Sequence, residues 1–189
     1  MKIKLEKAVE FINPIPVKKS EIETKYKVVF PAGIVDSKIK LYEFGETNLK
    51  KQIENKYFLK KNDILLQVKG NKFDSILITE EKENLLAGNS YLILRPNIKI
   101  VNPKYLQWYL KTKVILNYFE KNTSGAIIKL LRKATVAELI INLPSIEKQN
   151  EIALMIKKFE LEKEALTEYL IDKESLIETV IMEKYGEEY

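Results

Sequence analysis

Two short turns hold the side chains best suited to recognition chemistry. In "NTSGAIIKLLRKAT" (122–135), Thr123, Ser124, Lys129, Arg132 and Lys133 surround Gly125. In "QVKGNKFDS" (67–75), Lys69, Asn71 and Lys72 surround Gly70 at an expected strand end. Glycine supplies backbone conformations that other residues resist. A small polar turn rich in cations can hold phosphates, and Lys, Arg and Asn can donate to guanine or adenine edges. A lysine-bearing surface loop is more often only a solvated loop, so no single one of these residues decides the matter. The carboxylates offer a competing chemistry. Asp63, Asp74, Glu80, Glu81 and Glu83 are what a magnesium-dependent nuclease would have to use. Asp63 and Asp74 fall in different expected strands, and "TEEKE" (79–83) reads as a solvated turn. The chain has no histidine and no cysteine. That removes the commonest general base, imidazole and thiolate metal sites, and any disulfide framework. None of the six glycines falls in a phosphate-cradling motif. No catalytic and no metal-ligating residue is therefore assigned.

Charge divides the chain at Pro144. Residues 1–144 hold 26 Lys and Arg against 15 Asp and Glu, a surplus of +11. Residues 145–189 hold 6 against 12, a balance of −6, and the two together give the overall +5. A body this basic suits a polyanion, most simply nucleic acid, because neutralising phosphates drives affinity. No apolar run approaches the roughly 18 residues a membrane helix needs. Glu6 and Glu10 stand where a signal peptide would need an apolar stretch. With no cysteine to pair, the expectation is a cytoplasmic protein with no membrane partner.

The elements that must position these turns read as mixed α and β. Segments 25–35, 39–44, 63–68, 74–79, 89–96 and 138–144 are apolar or alternating, rich in Ile, Val and Tyr, and bounded by turn formers. One helix is expected from the Asn102 cap and Pro103 onward through "KYLQWYLKTKVILNYFEKN". Its Tyr105, Leu106, Tyr109, Leu110, Val114 and Tyr118 share a helical spacing, and with Trp108 they read as core rather than as a ligand platform.

After Pro144 the chain reads as one long helix. Ser145 can cap it, and Glu147 and Glu151 fall where the helix dipole favours negative charge. Lys148 stands where a full capping box needs Glu or Gln. Ile152, Ile156, Phe159, Lys163, Leu166, Leu170, Lys173, Ile177 and Val180 alternate steps of four and three, a heptad seam with seven of nine positions apolar. Met155, Tyr169 and Leu176 flank it. Lysines at seam positions cost stability and can fix register. The seam predicts a coiled-coil arm that packs on a similar helix.

The order of motifs resembles a known family. "LKKNDILLQVKGN", "YLILRP", "NPKYLQWYL", "NTSGAIIKLL" and "LIINLPSIEKQNEIA" are similar to the DNA-specificity subunits of type I restriction-modification systems. Asp63-Ile64-Leu65, Ser124-Gly125, Leu143-Pro144-Ser145-Ile146, Gln149 and Ile152-Ala153 match. Asn62 stands where the family often has glycine, and Ser145 replaces a second proline. The resemblance implies an α+β chain in two parts. Residues 1–143 would be a mixed α/β target-recognition, DNA-binding domain of short strands plus a helix, and 144–189 a long C-terminal helical conserved region. It further implies a non-catalytic subunit that reads half of a two-part target on double-stranded DNA. Methyltransferase (modification) subunits would dock on its helix, and a restriction and translocation subunit would join them. S-adenosylmethionine, ATP and magnesium would be used only in those partners. One domain and one helix make half a specificity subunit, which a homodimer through antiparallel C-terminal helices would complete. Two other classes compete: a sequence-nonspecific nucleic-acid-binding protein with a coiled-coil dimerisation arm, and the carboxylate enzyme above.

Overall fold

The computed structural model describes residues 1–17, 26–31, 34–35, 38–39, 42–44, 53–125 and 128–186. The strands are β1 (Lys2–Lys4), β2 (Val9–Ile12), β3 (Tyr26–Val29), β4 (Ile34–Val35), β5 (Lys38–Ile39), β6 (Tyr42–Phe44), β7 (Ile64–Gln67), β8 (Lys69–Gly70), β9 (Ser75–Leu77), β10 (Leu85–Ala87), β11 (Tyr91–Pro96), β12 (Lys129–Leu130) and β13 (Ile140–Asn142). The α-helices are α1 (Pro103–Leu110), α2 (Lys113–Lys121), α3 (Lys133–Ala137) and α4 (Ile146–Tyr185). The class is α+β, and the chain divides into two compact units, Met1–Asn150 and Glu151–Tyr189.

The first unit is built on a four-stranded antiparallel sheet in the order β2-β11-β7-β9. Its central strands are apolar on both faces, as Ile64-Leu65-Leu66 and Leu92-Ile93-Leu94 demand, and all six residues are buried. Ile93 lies opposite both Leu65 and Ile12, which places these three on one face. That face packs with Val29, Leu59, Ile78, Leu85 and Tyr91 into a core cluster. A three-stranded sheet, β10-β3-β6, has β10 parallel to β3. Helix α1 is fixed to the sheet by a reciprocal pair. The Ser75 hydroxyl donates to the Gln107 carbonyl at 3.1 Å, and the Gln107 side chain donates to the Ser75 carbonyl at 2.9 Å.

The six expected strand segments each hold a strand, though parts of 25–35 and 39–44 lie outside the described residues. The single helix expected after Asn102 is two. Asn102 does cap α1, accepting from the Lys104 and Tyr105 amides. The break comes at Thr112, whose backbone is extended and whose hydroxyl donates to the Tyr109 carbonyl at 2.8 Å. A β-branched residue that bonds its own helix's last carbonyls favours an end over continuation. The break shifts the helical register, so Val114 is 75% exposed rather than buried, and Ile115 and Phe119 enter the core. Trp108 is likewise 40% exposed. The two tyrosines of α1 serve as ties: Tyr105 donates to the Asn142 carbonyl at 2.8 Å, and the Tyr109 hydroxyl accepts from the Asn142 amide at 3.3 Å.

The motif "KNDIL" works as a corner. Asn62 has φ +75°, a left-handed conformation that asparagine tolerates better than most residues. This is why Asn can stand there in place of glycine. The turn points Asp63 inward, where it is 1% exposed and meets Arg95 in a two-point pair at 2.8 and 2.9 Å. Arg95 also donates to the Phe58 carbonyl at 3.1 Å, and the Lys60 amide donates to Asp63 at 2.8 Å. The carboxylate beside it raises the Arg95 guanidinium above its ordinary value.

Candidate nucleic-acid interface

The two turns singled out in the sequence are neighbours in space. β8 and β12 pair antiparallel, with Lys129 opposite Gly70 and Leu130 opposite Lys69. An additional bridge places Ser124 opposite Leu130 on the far side of β12. The Leu130 amide donates to the Ser124 carbonyl at 2.8 Å, the Ser124 amide returns a bond to the Leu130 carbonyl at 3.2 Å, and the Leu131 amide donates to the Val68 carbonyl at 2.8 Å. The 58 residues 71–128 separate β8 from β12 in the chain, yet a backbone ladder fixes their spacing.

Both glycines are demanded by the geometry. Gly125 has φ +101°, and a Cβ there would sit 2.2 Å from the Ile128 carbonyl oxygen. That neighbour is backbone and cannot move aside. Gly70 has φ +133°, and a Cβ would meet the Gln67 side-chain nitrogen at 2.7 Å. The same nitrogen donates to the Lys69 carbonyl at 3.2 Å, bracing the turn.

The candidate residues divide by how far they are engaged. Lys69, Asn71, Lys72, Ser124, Arg132 and Lys133 are exposed. Arg132 precedes α3 and has no ion pair among the described residues; Lys69 and Lys72 have none either. Lys133 reaches the Phe11 carbonyl at 3.3 Å and lies over the Phe11 ring. Lys129 is paired with Glu120, and the Thr123 hydroxyl donates to the Glu120 carbonyl at 3.0 Å. Cations at this density, held on a rigid ladder, can neutralise closely spaced phosphates.

The carboxylates do not assemble into a catalytic group. Asp63 is held by Arg95, Asp74 pairs with Lys111 at 3.1 Å, and no cluster of three or more acidic side chains fit to hold a metal occurs among the described residues.

A further constellation sits where α4 begins. The Gln149 side chain is 1% exposed. It accepts from the Asn102 amide at 2.9 Å and donates to the Pro144 carbonyl at 2.9 Å and the Ile100 carbonyl at 3.3 Å. Asn102, the cap of α1, also donates to Asn150 at 2.8 Å. Ser145 accepts from the Lys148 amide at 3.4 Å. The Glu147 carboxyl is lowered from its ordinary value by its own backbone amide and by Ser145. The first turn of α4 is thus stitched to the start of α1 by one buried amide.

The model of the type I restriction modification DNA specificity domain family matches residues 10–173. The chain belongs to that family. A Methanocaldococcus jannaschii protein bearing the name of the MjaX type I restriction enzyme specificity subunit is 30% identical over 155 residues, covering 78% of this chain and 36% of its own length. The EcoBI specificity subunit of Escherichia coli is 25% identical over 147 residues, covering 70% of this chain and 31% of its own. This specificity chain therefore spans about a third of the curated relatives it matches. Solved specificity subunits share the fold. The subunit from M. genitalium superposes with TM-score 0.65 at 18% identity over all of this chain and 46% of its own. The HsdS subunit of Thermoanaerobacter tengcongensis gives 0.63 at 15% identity over 97% and 48%.

Within the specificity chain, the seam residues occupy α4 as the spacing requires. Phe159, Leu166, Leu170, Ile177 and Val180 are 50–67% exposed, Lys163 and Lys173 lie among them, and Ile152 and Ile156 are half-buried. No helix of the described residues is long and apolar enough to cross a membrane. Sequence reasoning missed β1, β2, β8, β10, β12 and α3, because elements of two to five residues leave little periodicity to read.

Proposed function

We propose that this chain reads one half of a two-part target on double-stranded DNA, through the ladder that joins its two basic turns. Lys69, Asn71, Lys72, Thr123, Ser124, Lys129, Arg132 and Lys133 form the reading surface, with Gly70 and Gly125 setting its shape. The observation that carries this reading is the pairing of β8 with β12, which gathers two remote cationic turns in a body of charge +11. The α4 seam provides the second half by pairing antiparallel with a second copy, through Ile152, Ile156, Phe159, Lys163, Leu166, Leu170, Lys173, Ile177 and Val180. A two-fold pair of this kind reads a two-part palindrome. Methyltransferase subunits dock on the paired helices and a restriction and translocation subunit joins them. S-adenosylmethionine, ATP and magnesium serve those partners, and this chain performs no bond chemistry.

Competition at two salt concentrations tests the reading. The full chain, purified with its methyltransferase subunits, is bound to duplexes selected from a random pool. Retention of a selected duplex against excess random DNA supports sequence reading. Loss of all binding to competitor, with a steep salt dependence and no selected motif, makes the chain a sequence-blind polyanion binder instead.

A further inference from the structure

The pairing of three short segments sets out a row of side chains. Ser124 lies opposite Leu130, and Leu130 lies opposite Lys69. Residues directly opposite in antiparallel strands project to the same face. The row therefore runs hydroxyl, aliphatic group, ammonium. Leu130 makes both its backbone bonds to Ser124. Its pair with Lys69 is then the non-hydrogen-bonded kind, in which side chains approach most closely. Leu130 is 44% exposed, and nearby Ile128 is 55% exposed. Leu130 thus presents much of its aliphatic side chain to solvent between two polar neighbours.

We infer that Leu130 is a specificity-determining residue that packs against a thymine methyl group in the major groove, flanked by contacts from Ser124 and Lys69. The inference rests on the DNA-reading function proposed above and names its chemistry at one position. The major groove admits a two-stranded ribbon, and thymine is the base that presents a methyl group there. The occupant is DNA rather than protein because of charge. Exposed Lys69, Lys72, Arg132 and Lys133 all lie in or within three residues of the paired segments, and the body carries a surplus of +11. Gly125 is part of the same device, since a Cβ there would sit 2.2 Å from the Ile128 carbonyl oxygen.

The test changes the DNA before it changes the protein. The full chain with its methyltransferase subunits selects a duplex from a random pool. Each thymine of that duplex is then replaced singly by uracil, which removes the methyl group alone. At one thymine in each half-site the replacement weakens binding on the order of fivefold, the effect of one buried methyl group. The Leu130→Ala protein binds thymine and uracil duplexes equally at that position, while still distinguishing bases elsewhere in the motif. A selected motif in which no thymine-to-uracil change matters overturns the inference and leaves the DNA-reading function standing. So does a Leu130→Ala protein that still prefers thymine. Failure to select any motif overturns the DNA-reading function itself.

Discussion

The body and the arm of this chain treat apolar and polar groups in opposite ways. In Met1–Asn150 the large aliphatic residues of the central strands are covered, and the buried polar groups Asp63, Ser75, Gln107 and Gln149 each have partners inside the unit. Among the described residues of Glu151–Tyr189 the seam is half-buried at Ile152 and Ile156 and exposed at Phe159, Leu166, Leu170, Ile177 and Val180. Hydrophobic burial stabilises by about 25 cal/mol for each Å² removed from water. The body has already drawn on that source, and the exposed seam residues of the arm have not. The contrast teaches where each kind of substitution acts. A change in the body reports on the fold of one chain, and a change in the arm reports on the proposed assembly.

The sharpest way to break this contrast is at Asp63. Asp63→Ala leaves the Arg95 guanidinium inside without its carboxylate and is expected to cost about 3 kcal/mol, read from chemical denaturation. Replacing Asp63 and Arg95 together by leucine should cost much less, since no charge is then left unpaired. A loss below about 1 kcal/mol for the single change would mean that the corner after Asn62 is not held by this pair. Next comes Gln149→Ala, which strips a partner from the Asn102 amide and the Pro144 carbonyl. It should lower stability by about 1–3 kcal/mol. Hydrogen exchange should rise first at residues 100–104 and 144–150, and uniform exchange across the body would contradict the stitch. On the arm side the sign reverses. Lys163→Leu or Lys173→Leu should stabilise the helical assembly by about 1 kcal/mol while loosening its register. Native mass spectrometry with cysteine cross-linking along the seam would show mixed registers. One unchanged register with lower stability would defeat that expectation. The smallest effect is at Arg132, which has no ion pair to lose among the described residues. Arg132→Ala should leave stability unchanged, weaken binding to all duplexes similarly, and reduce the salt slope by about 1. Unaltered affinity for both selected and random DNA would remove Arg132 from the interface.

Much of this arrangement could be read from residue order, for physical reasons that differ by region. The arm is the clearest case, because a seam of seven apolar residues in nine positions has no other economical geometry than a long helix. The strand segments were visible because Ile64-Leu65-Leu66 and Leu92-Ile93-Leu94 are apolar without interruption. The candidate cations were visible as residues around two glycines, but their meeting was not. Pairing of β8 with β12 depends on backbone groups at residues 69–70 and 129–130, which carry no side-chain pattern across the 58 intervening positions. The division into α1 and α2 was hidden for a related reason. Thr112 ends one helix through its hydroxyl and backbone, while the apolar spacing on either side still resembles a single helix. Gln149 matched a family motif before its purpose was apparent. Its purpose is the three bonds that tie the Asn102 cap to the Pro144 corner, and those appear only when both are placed.

The central proposal is that this chain, as a symmetric pair, chooses where its methyltransferase partners act on DNA. The direct measurement is a genome-wide map of methylated adenine in the host, made with the gene intact and with it deleted. The account predicts that one two-part palindromic motif loses its methylation on deletion and regains it when the gene is restored. Persistence of every two-part methylated motif after deletion would contradict the claim, and loss of an asymmetric motif would contradict the symmetric pair.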